Sequence, residues 1–231
     1  MILGIYGWQD SGKTTLVERL TEDLSAEGYS VSSVKHAPHE KDQDVEGKDS
    51  WRHSKAGGDP VVLQTSEGTT LIKRPALAIG EVLEVVRREF HPDVLLVEGY
   101  KDGDFPKVAL GDIEPADGTV LVNPALEEVI GYIRKEVEYE RAYDKLPKLD
   151  CGKCGLSCGD LAREIAEGKM SLDDCPERPA RKVEIIAGGE RLPVGGFVAE
   201  IPDKTIRGFL SSLKGYSGEP DVEIRLRSSD D

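Results

Sequence analysis

Residues 7–14 read GWQDSGKT and stand between the apolar run MILGIY and the helix-like stretch TLVERLTEDL. The spacing G-x-x-x-x-G-K-[ST] is that of a phosphate-binding loop, in which glycines let successive backbone N–H groups turn toward an anion. The pattern predicts that Lys13 reaches the β- and γ-phosphates of a nucleotide and that the Thr14 hydroxyl holds Mg²⁺. A glycine-rich turn that merely contains a lysine is the alternative, but the neighbours on both sides favour nucleotide binding.

The nucleotide contacts are expected from consecutive residues of this loop and from the first turn of the following helix, whose positive end points at the same place. The predicted binding residues of this stretch are Gly7, Trp8, Gln9, Asp10, Ser11, Gly12, Lys13, Thr14 and Thr15. The motif identifies neither the base nor the reaction.

Composition limits the class of protein. The 231 residues suit one sizeable α/β core with a small appendage, or two domains. Hydrophobic residues make up 38% and no apolar run approaches the roughly 20 residues that span a bilayer, so we expect no membrane partner. The chain begins directly in a strand without a basic leader, which predicts a cytoplasmic location. A formal net charge of −14 argues against nucleic-acid binding, although acidity can also serve solubility alone.

Strand-like and helix-like segments alternate along the first part of the chain. This order predicts a phosphate-loop NTPase-like α/β fold, with a mostly parallel sheet flanked by helices. Predicted strands cover residues 2–6, 30–35, 93–97, 108–110 and 119–122. Predicted helices cover residues 14–27, 79–90 and 124 to about 142, with helical turns at 50–56 and a hairpin at 60–64 and 69–73. The helix at 79–90 is amphipathic, with Ile79, Val82, Leu83, Val86 and Phe90 on one face.

The character of the sequence changes after residue 146. We expect a phosphate-loop domain at 1–146, a four-cysteine module with a short helix at 159–167 within residues 147–180, and a small α+β region at 181–231. In the last region the segments KVEIIAG, ERLPV and DVEIRLR read as strands, and KTIRGFLSSLKG reads as a helix.

An acidic residue follows the apolar run DVLLV. Glu98 stands just past this predicted strand, and Gly99 turns the chain after it. A carboxylate at a neighbouring strand tip suits Mg²⁺, which keeps several waters and uses one or two acids. The expected role of Glu98 is therefore to complete the metal site begun by Thr14; a solvated strand end is the alternative.

A long polar connection follows the second predicted strand. Residues 36–50 form a loop longer than most connections in compact domains, and such loops are usually functional or disordered. The candidate residues in and around it are Lys35, His36, Asp49, Arg52 and His53. Basic groups at the carboxyl end of a strand could clamp a phosphorylated second substrate, whereas a merely exposed charged loop would have the same composition.

Several motifs together resemble one known family. GWQDSGKTTL, VKH, the stretch from Asp44 through GKDSWRHSKAGG, LLVEGYK and FPK are similar to the molybdopterin-guanine dinucleotide biosynthesis protein B (MobB) family over about residues 1–140. The resemblance implies a GTP-binding α/β domain, commonly dimeric, that assists the guanylyltransferase joining GMP from GTP to molybdopterin. It implies phosphate and Mg²⁺ binding for Gly12, Lys13 and Thr14, and a water-mediated metal role for Glu98.

The chain departs from Ras-type GTPases in one respect. It has no [NT]-K-x-D motif, so the preference for guanine follows from the family resemblance alone. No arginine finger or water-positioning glutamine is evident, so we expect GTP hydrolysis to be slow or absent.

All four cysteines lie between residues 151 and 175, as Cys151, Cys154, Cys158 and Cys175. In a cytoplasmic chain such clustering indicates metal or cluster ligation rather than disulfides. Three close cysteines and a distant one followed by proline suit a 4Fe–4S cluster, and the module resembles the small domain of corrinoid iron–sulfur proteins. There the second gap is usually four residues, whereas here it is three. Structural zinc is the alternative, although zinc ribbons more often show two separated C-x2-C knuckles.

The sequence thus predicts a GTP-binding accessory protein of molybdenum or tungsten cofactor biosynthesis with an appended iron–sulfur module. One alternative is an iron–sulfur electron-transfer protein gated by nucleotide, but a second cluster or a flavin motif is not evident. Another is a metallochaperone-type GTPase, but the chain has no His-rich tract and no C-P-C motif.

Overall fold

The computed structural model describes residues 1–39, 44–177, 185–187, 190–192, 196–214 and 217. It divides into two compact units, Met1–Val137 and Glu138–Asp231. In the described part of the chain no helix is both long enough and apolar enough to cross a membrane.

The described residues of the first unit form seven strands and four helices. The last helix, α4, begins in this unit and ends in the second. In chain order the elements are β1 (Ile2–Gly7), α1 (Lys13–Ala26), β2 (Val31–Lys35), α2 (Asp49–Lys55), β3 (Val61–Gln64), β4 (Thr69–Ile72), α3 (Ile79–Phe90), β5 (Val94–Glu98), β6 (Lys107–Leu110), β7 (Thr119–Val122) and α4 (Leu126–Lys145). The elements predicted for residues 1–146 are all present, and their ends differ from prediction by three residues or fewer.

The main sheet has five strands in the order β2-β5-β1-β6-β7, and every pair in it is parallel. β3 and β4 form a separate antiparallel hairpin. The five-stranded sheet confirms the predicted α/β fold class. β5 lies between β2 and β1, and its residues from Val94 to Val97 are at most 1% exposed, as the apolar run DVLLV predicts for an inner strand.

Helices cover both faces of this sheet. On one face α1 and α4 pack against the sheet in a core that includes Leu20, Leu24 and Ile133. On the other face Leu83 of α3 packs against Leu95 and Val97 of β5. The three layers bury the strands on both sides, as expected for a parallel sheet.

One residue of the apolar face of α3 is exposed. Phe90 is 70% exposed, whereas Leu83 is buried and Ile79 and Val86 pack against the same core. Phe90 is the last residue of α3, because His91 follows with a left-handed φ of 45° that ends the helix. The apolar periodicity therefore continues beyond the part of the helix that faces the sheet.

The second unit contains α5 (Cys158–Ala166), a single 3₁₀ turn at Leu172–Asp174, the antiparallel strands β8 (Ile185–Ala187) and β9 (Glu190–Leu192), and α6 (Gly196–Leu210). The Ser157 hydroxyl caps α5 by accepting from Asp160 N at 3.0 Å. The predicted last helix began at residue 204, but α6 begins at Gly196. Proline is unfavourable inside a helix, so the segment before Pro202 does not read as helical. The strand predicted in DVEIRLR lies outside the described residues.

Candidate nucleotide site and cysteine module

The phosphate loop joins the end of β1 to the start of α1. Gly7 lies so close to the neighbouring strand that an added Cβ would stand 2.3 Å from the Leu110 carbonyl oxygen and 2.6 Å from Ser11 Oγ. Asp10 and Gly12 have left-handed φ values of 60° and 88°. The sequence GWQDSGKT therefore forms the tight, partly left-handed turn that the motif requires, and Gly12 leads directly into α1.

Two polar side chains of the loop have unusual surroundings. Lys13 Nζ donates to the Trp8 carbonyl oxygen at 2.5 Å, so the ammonium folds back across the loop. Among the described residues, Ser11 Oγ is the one buried side-chain oxygen or nitrogen without a hydrogen-bond partner. A buried hydroxyl without a partner is energetically unfavourable, which makes the interior of this loop a place where a polar ligand would be stabilising.

The predicted metal ligands lie together. Thr14 Oγ1 donates to Glu98 Oε1 at 2.9 Å, although the two residues are 84 positions apart in the chain. The parallel pairing of β1 with β5, in which Ile5 is opposite Glu98, puts the carboxylate beside the first turn of α1. A hydroxyl and a carboxylate are hard oxygen ligands of the kind that Mg²⁺ takes, so this pair fits the ion.

Backbone contacts bring the end of β2 to the same edge. Lys35 is opposite Glu98 in the strand register, and His36 N donates to the Glu98 carbonyl oxygen at 2.8 Å. Gly99 has a φ of 90°, and a Cβ there would lie 2.8 Å from the His36 carbonyl oxygen. The His36 ring contacts the Tyr100 ring edge-on at 5.0 Å between centroids. Lys35, His36, Glu98 and Gly99 therefore lie together at the carboxyl edge of the sheet.

The remaining predicted residues of the long connection lie on α2. Asp49, Arg52 and His53 are all exposed, and Arg52 Nη1 lies 3.6 Å from Asp49 Oδ1 within the same helix. Among the described residues, neither Arg52 nor His53 has a side-chain contact with the phosphate loop. Both side chains lie on the surface of the unit.

An ion pair that the sequence analysis did not predict joins the loop at residues 36–50 to the end of the β3–β4 hairpin. The Asp44 side chain is only 1% exposed and accepts from Arg74 Nη2 at 3.0 Å and from Ser50 Oγ at 2.8 Å. Arg74 follows β4 and lies 30 positions from Asp44, so no local pattern could have joined the two. A buried carboxylate with two donors fixes the position of the loop segment that leads into α2.

The four cysteines are free thiols in a glycine-rich loop and a small core. Cys158 and Cys175 are buried, Cys154 is half-buried, and all three belong to one hydrophobic cluster with Leu146 and Leu161. Cys151 is exposed. Gly152 and Gly155 have positive φ values of 67° and 85°, which lets the chain turn tightly after two of the cysteines.

The thiols also influence one another electrostatically. Burial raises the pKa of Cys175 above its ordinary value, and charge on Cys158, Cys154 and Cys151 raises it further, while a backbone hydrogen bond from Glu177 lowers it. As they stand, no three His, Cys, Asp or Glu side chains of the described residues are gathered closely enough to hold a metal ion. The donor set itself, four thiols in one short module, fits a soft metal or an iron–sulfur cluster.

Family models match both parts of the chain. The model described as molybdopterin guanine dinucleotide synthesis protein B matches residues 2–131. The model described as "Putative Fe-S cluster" matches residues 146–177, which include all four cysteines.

Curated relatives extend this similarity. The chain is 26% identical over 235 residues to a protein of Methanocaldococcus jannaschii named "Putative molybdopterin-guanine dinucleotide biosynthesis adapter protein", which covers 97% of each chain. A Bacillus subtilis protein named as a probable adapter of the same kind is 31% identical over 149 residues, covering 63% of this chain and 83% of its own. The adapter protein of Haemophilus influenzae is 38% identical over 112 residues, covering 47% of this chain and 62% of its own.

Two solved structures are similar to a little over half of the chain. The crystal structure of Bacillus subtilis MobB has a TM-score of 0.45 and 24% identity, covering 56% of this chain and 96% of that chain. A crystal structure of molybdopterin-guanine biosynthesis protein B has a TM-score of 0.41 and 26% identity, covering 59% of this chain and 99% of that chain.

The close approach of Gly7 to β6 gives a test of the loop geometry. Gly7→Ala should destabilise the first unit, because the added methyl group would overlap the Leu110 carbonyl oxygen, which belongs to a buried strand. Gly131→Ala, in α4, is the matched control, because nothing lies within 4 Å of its Cβ position and alanine favours a helix by about 1 kcal/mol. Urea denaturation followed by circular dichroism measures both. A Gly7→Ala protein as stable as wild type would contradict the described loop.

Proposed function

Because the chain belongs to the molybdopterin guanine dinucleotide synthesis protein B family, we propose that it binds GTP with Mg²⁺ and serves as an adapter in molybdopterin-guanine dinucleotide biosynthesis. The adapter would assist the guanylyltransferase that joins GMP to molybdopterin, with slow or no GTP hydrolysis of its own. The observation that carries the nucleotide proposal is the hydrogen bond from Thr14 to Glu98 beside a phosphate loop with an unpartnered buried hydroxyl.

In this proposal each part of the site has a separate task. The backbone N–H groups of residues Gly7 to Thr15 and the ammonium of Lys13 hold the triphosphate, which draws Lys13 away from the Trp8 carbonyl oxygen. Thr14 and Glu98 hold Mg²⁺, which neutralises phosphate charge when bound. The exposed side chains of Arg52 and His53 lie outside this set, which supports a role for them toward the second substrate or the partner enzyme.

We also propose that the protein forms a homodimer and that it is located in the cytoplasm. The hairpin supports a contact with a second copy, because Val62 and Leu71 are paired across its two strands and are 57% and 59% exposed. Contiguous exposed apolar side chains mark interaction surfaces more often than free surface.

We further propose that the module at residues 146–177 holds a 4Fe–4S cluster on Cys151, Cys154, Cys158 and Cys175, with zinc as the alternative. The soft thiolates, the glycine-rich loop and the absence of a second C-x2-C knuckle support iron. Such a cluster supplies one-electron chemistry or a structural crosslink when bound.

The nucleotide proposal predicts a large effect of Lys13. Lys13→Ala should weaken binding of GTP with Mg²⁺ by about 2 kcal/mol or more, since it removes a charged hydrogen bond to phosphate. Glu98→Gln should leave binding without Mg²⁺ nearly unchanged and reduce the gain that Mg²⁺ provides. Calorimetric titration with GTP and with ATP measures both effects and the base preference.

Lys135→Ala, which removes an exposed lysine of α4, is the matched control for Lys13→Ala. Equal affinities of the wild type and Lys13→Ala would reject the phosphate-loop assignment. Equal affinities for GTP and ATP would reject guanine preference while leaving nucleotide binding in place.

The adapter proposal predicts a functional effect of Arg52. With molybdopterin, GTP and the cognate guanylyltransferase, the protein should raise the yield of the guanine dinucleotide cofactor. Arg52→Ala should reduce that stimulation several-fold and leave GTP binding unchanged, because Arg52 is exposed on α2. Arg88→Ala, on α3, is a control with the same loss of charge from an exposed helix. A lack of stimulation by the wild type would contradict the adapter role.

The cluster proposal predicts iron and sulfide in protein prepared without air. Cys175→Ser should lower cluster occupancy and loosen residues 146–177, since Cys175 is part of the core of that module, yet leave GTP binding intact. Iron, sulfide and zinc analysis with ultraviolet–visible spectra measures occupancy. One zinc and no iron in anaerobic wild-type protein would overturn the cluster and favour the zinc alternative.

A further inference from the structure

A cavity of about 300 Å³ lies in the first unit beside α2, at the base of the hairpin. The residues that line it are Trp51, Ser54, Lys55, Gly57, Gly58, Asp59 and Arg74. Its volume is at the lower end of the range of small-molecule sites, about 300–1,000 Å³, so it suits one small molecule. None of the nucleotide-binding residues predicted from the sequence lines it.

One wall of the cavity holds a cation in a fixed position. The guanidinium of Arg74 pairs with the Asp44 carboxylate, which is only 1% exposed and also accepts from Ser50 Oγ. The buried carboxylate thus orients Arg74 at the cavity wall. A preorganised guanidinium loses little side-chain freedom when it binds an anion, and its planar fork matches a phosphate.

A second cation and an aromatic ring come from successive turns of α2. Lys55 follows Trp51 by four positions, so the two side chains share one face of the helix. Lys55 Nζ lies 5.3 Å from the centroid of the indole ring, and the described residues provide it with no ion pair. An anion would attract this ammonium, and the indole ring offers a planar surface for stacking.

The cavity also contains one fixed acceptor. The Asp59 carboxylate accepts from Lys73 Nζ and, at 3.1 Å, from Arg74 N. These hydrogen bonds hold the pKa of Asp59 below its usual value, and the bond from Lys73 has the larger effect. An ionised carboxylate has about four lone-pair sites, so it can accept further N–H groups from a ligand.

We propose that this cavity binds a planar nitrogen heterocycle that carries a phosphate, with the ring against Trp51, a ring N–H on Asp59 and the phosphate on Lys55 and Arg74. This is the chemistry of a pterin phosphate, and the identification rests on the proposed function for the class of the second substrate. Each part of the ligand is matched by a different group of the cavity lining: the indole suits a flat ring, the two cations suit an anion, and the carboxylate suits an N–H donor.

Calorimetric titration of the full-length protein with 6-hydroxymethylpterin phosphate tests the site, with unphosphorylated 6-hydroxymethylpterin and inorganic phosphate as separate probes. The pterin phosphate should bind at least tenfold more tightly than either probe. Lys55→Gln should weaken it about tenfold or more, the usual effect of losing a charged hydrogen bond. Trp51→Leu should weaken binding, and Trp51→Phe should retain most of it.

Arg88→Gln, an exposed arginine of α3, is the matched control and should bind as the wild type does. Arg74→Gln leaves the buried Asp44 without its cation and could unfold this region, so Lys55→Gln is the deciding variant. The proposal is overturned if the wild type does not bind pterin phosphate, if Lys55→Gln binds it unchanged, or if inorganic phosphate binds equally well.

Titration of the same variants with GTP and Mg²⁺ separates this site from the phosphate loop. Lys55→Gln and Trp51→Leu should retain wild-type affinity for GTP, whereas Lys13→Ala should retain wild-type affinity for pterin phosphate. If the wild type does not bind GTP, the nucleotide proposal is rejected and the cavity proposal is unaffected. If Lys55→Gln binds GTP more weakly than the wild type does, the cavity is not a separate site.

Discussion

The parallel pairing of β1 with β5 is the contact on which the candidate nucleotide site depends. It places Glu98, from the second half of the first unit, 2.9 Å from the hydroxyl of Thr14 at the start of α1. Both strands are inner strands of the sheet, and Leu3, Ile5, Leu96 and Val97 at their centres are fully buried. A shift by one residue would exchange the side chains that pack in the two cores and would move Glu98 away from its position opposite Ile5.

Local charge in the first unit differs from the charge of the whole chain. The formal net charge of −14 repels anions at long range. At the carboxyl edge of the sheet, however, Lys13 and Lys35 lie near the positive end of α1, and at the cavity beside α2 the cations are Lys55 and Arg74. Screening limits the long-range repulsion to about 8–10 Å at physiological salt, so short-range cations decide whether a phosphate binds.

Much of this architecture could be predicted from sequence, because its signals are local. The phosphate loop is a fixed spacing between a strand and a helix, and the apolar run at β5 identifies a strand buried on both faces. The start of α6 was predicted wrongly, since Pro202 interrupts the helical pattern. The exposure of Phe90 could not be predicted, since apolar periodicity does not reveal where a helix passes beyond the core. The Asp44–Arg74 pair could not be predicted, because it joins residues 30 positions apart in the chain, with the hairpin between them.

The cysteine module is so small that a bound metal would contribute to its stability. Residues 146–177 number about 32, and segments below about 40 residues rarely bury enough apolar surface to be stable without metals, disulfides or packing partners. The described core contains Leu146, Leu161 and Ala162, and two of its remaining buried side chains are the thiols of Cys158 and Cys175.

All four thiols are free, so no disulfide stabilises the module. Ligation of the thiolates would add free energy of folding to the small core, since the site does not exist in the unfolded chain. The same four residues would then serve as cluster ligands and as the main crosslink of the module, in which Cys158 and Cys175 are buried, Cys154 is half-buried and Cys151 is exposed.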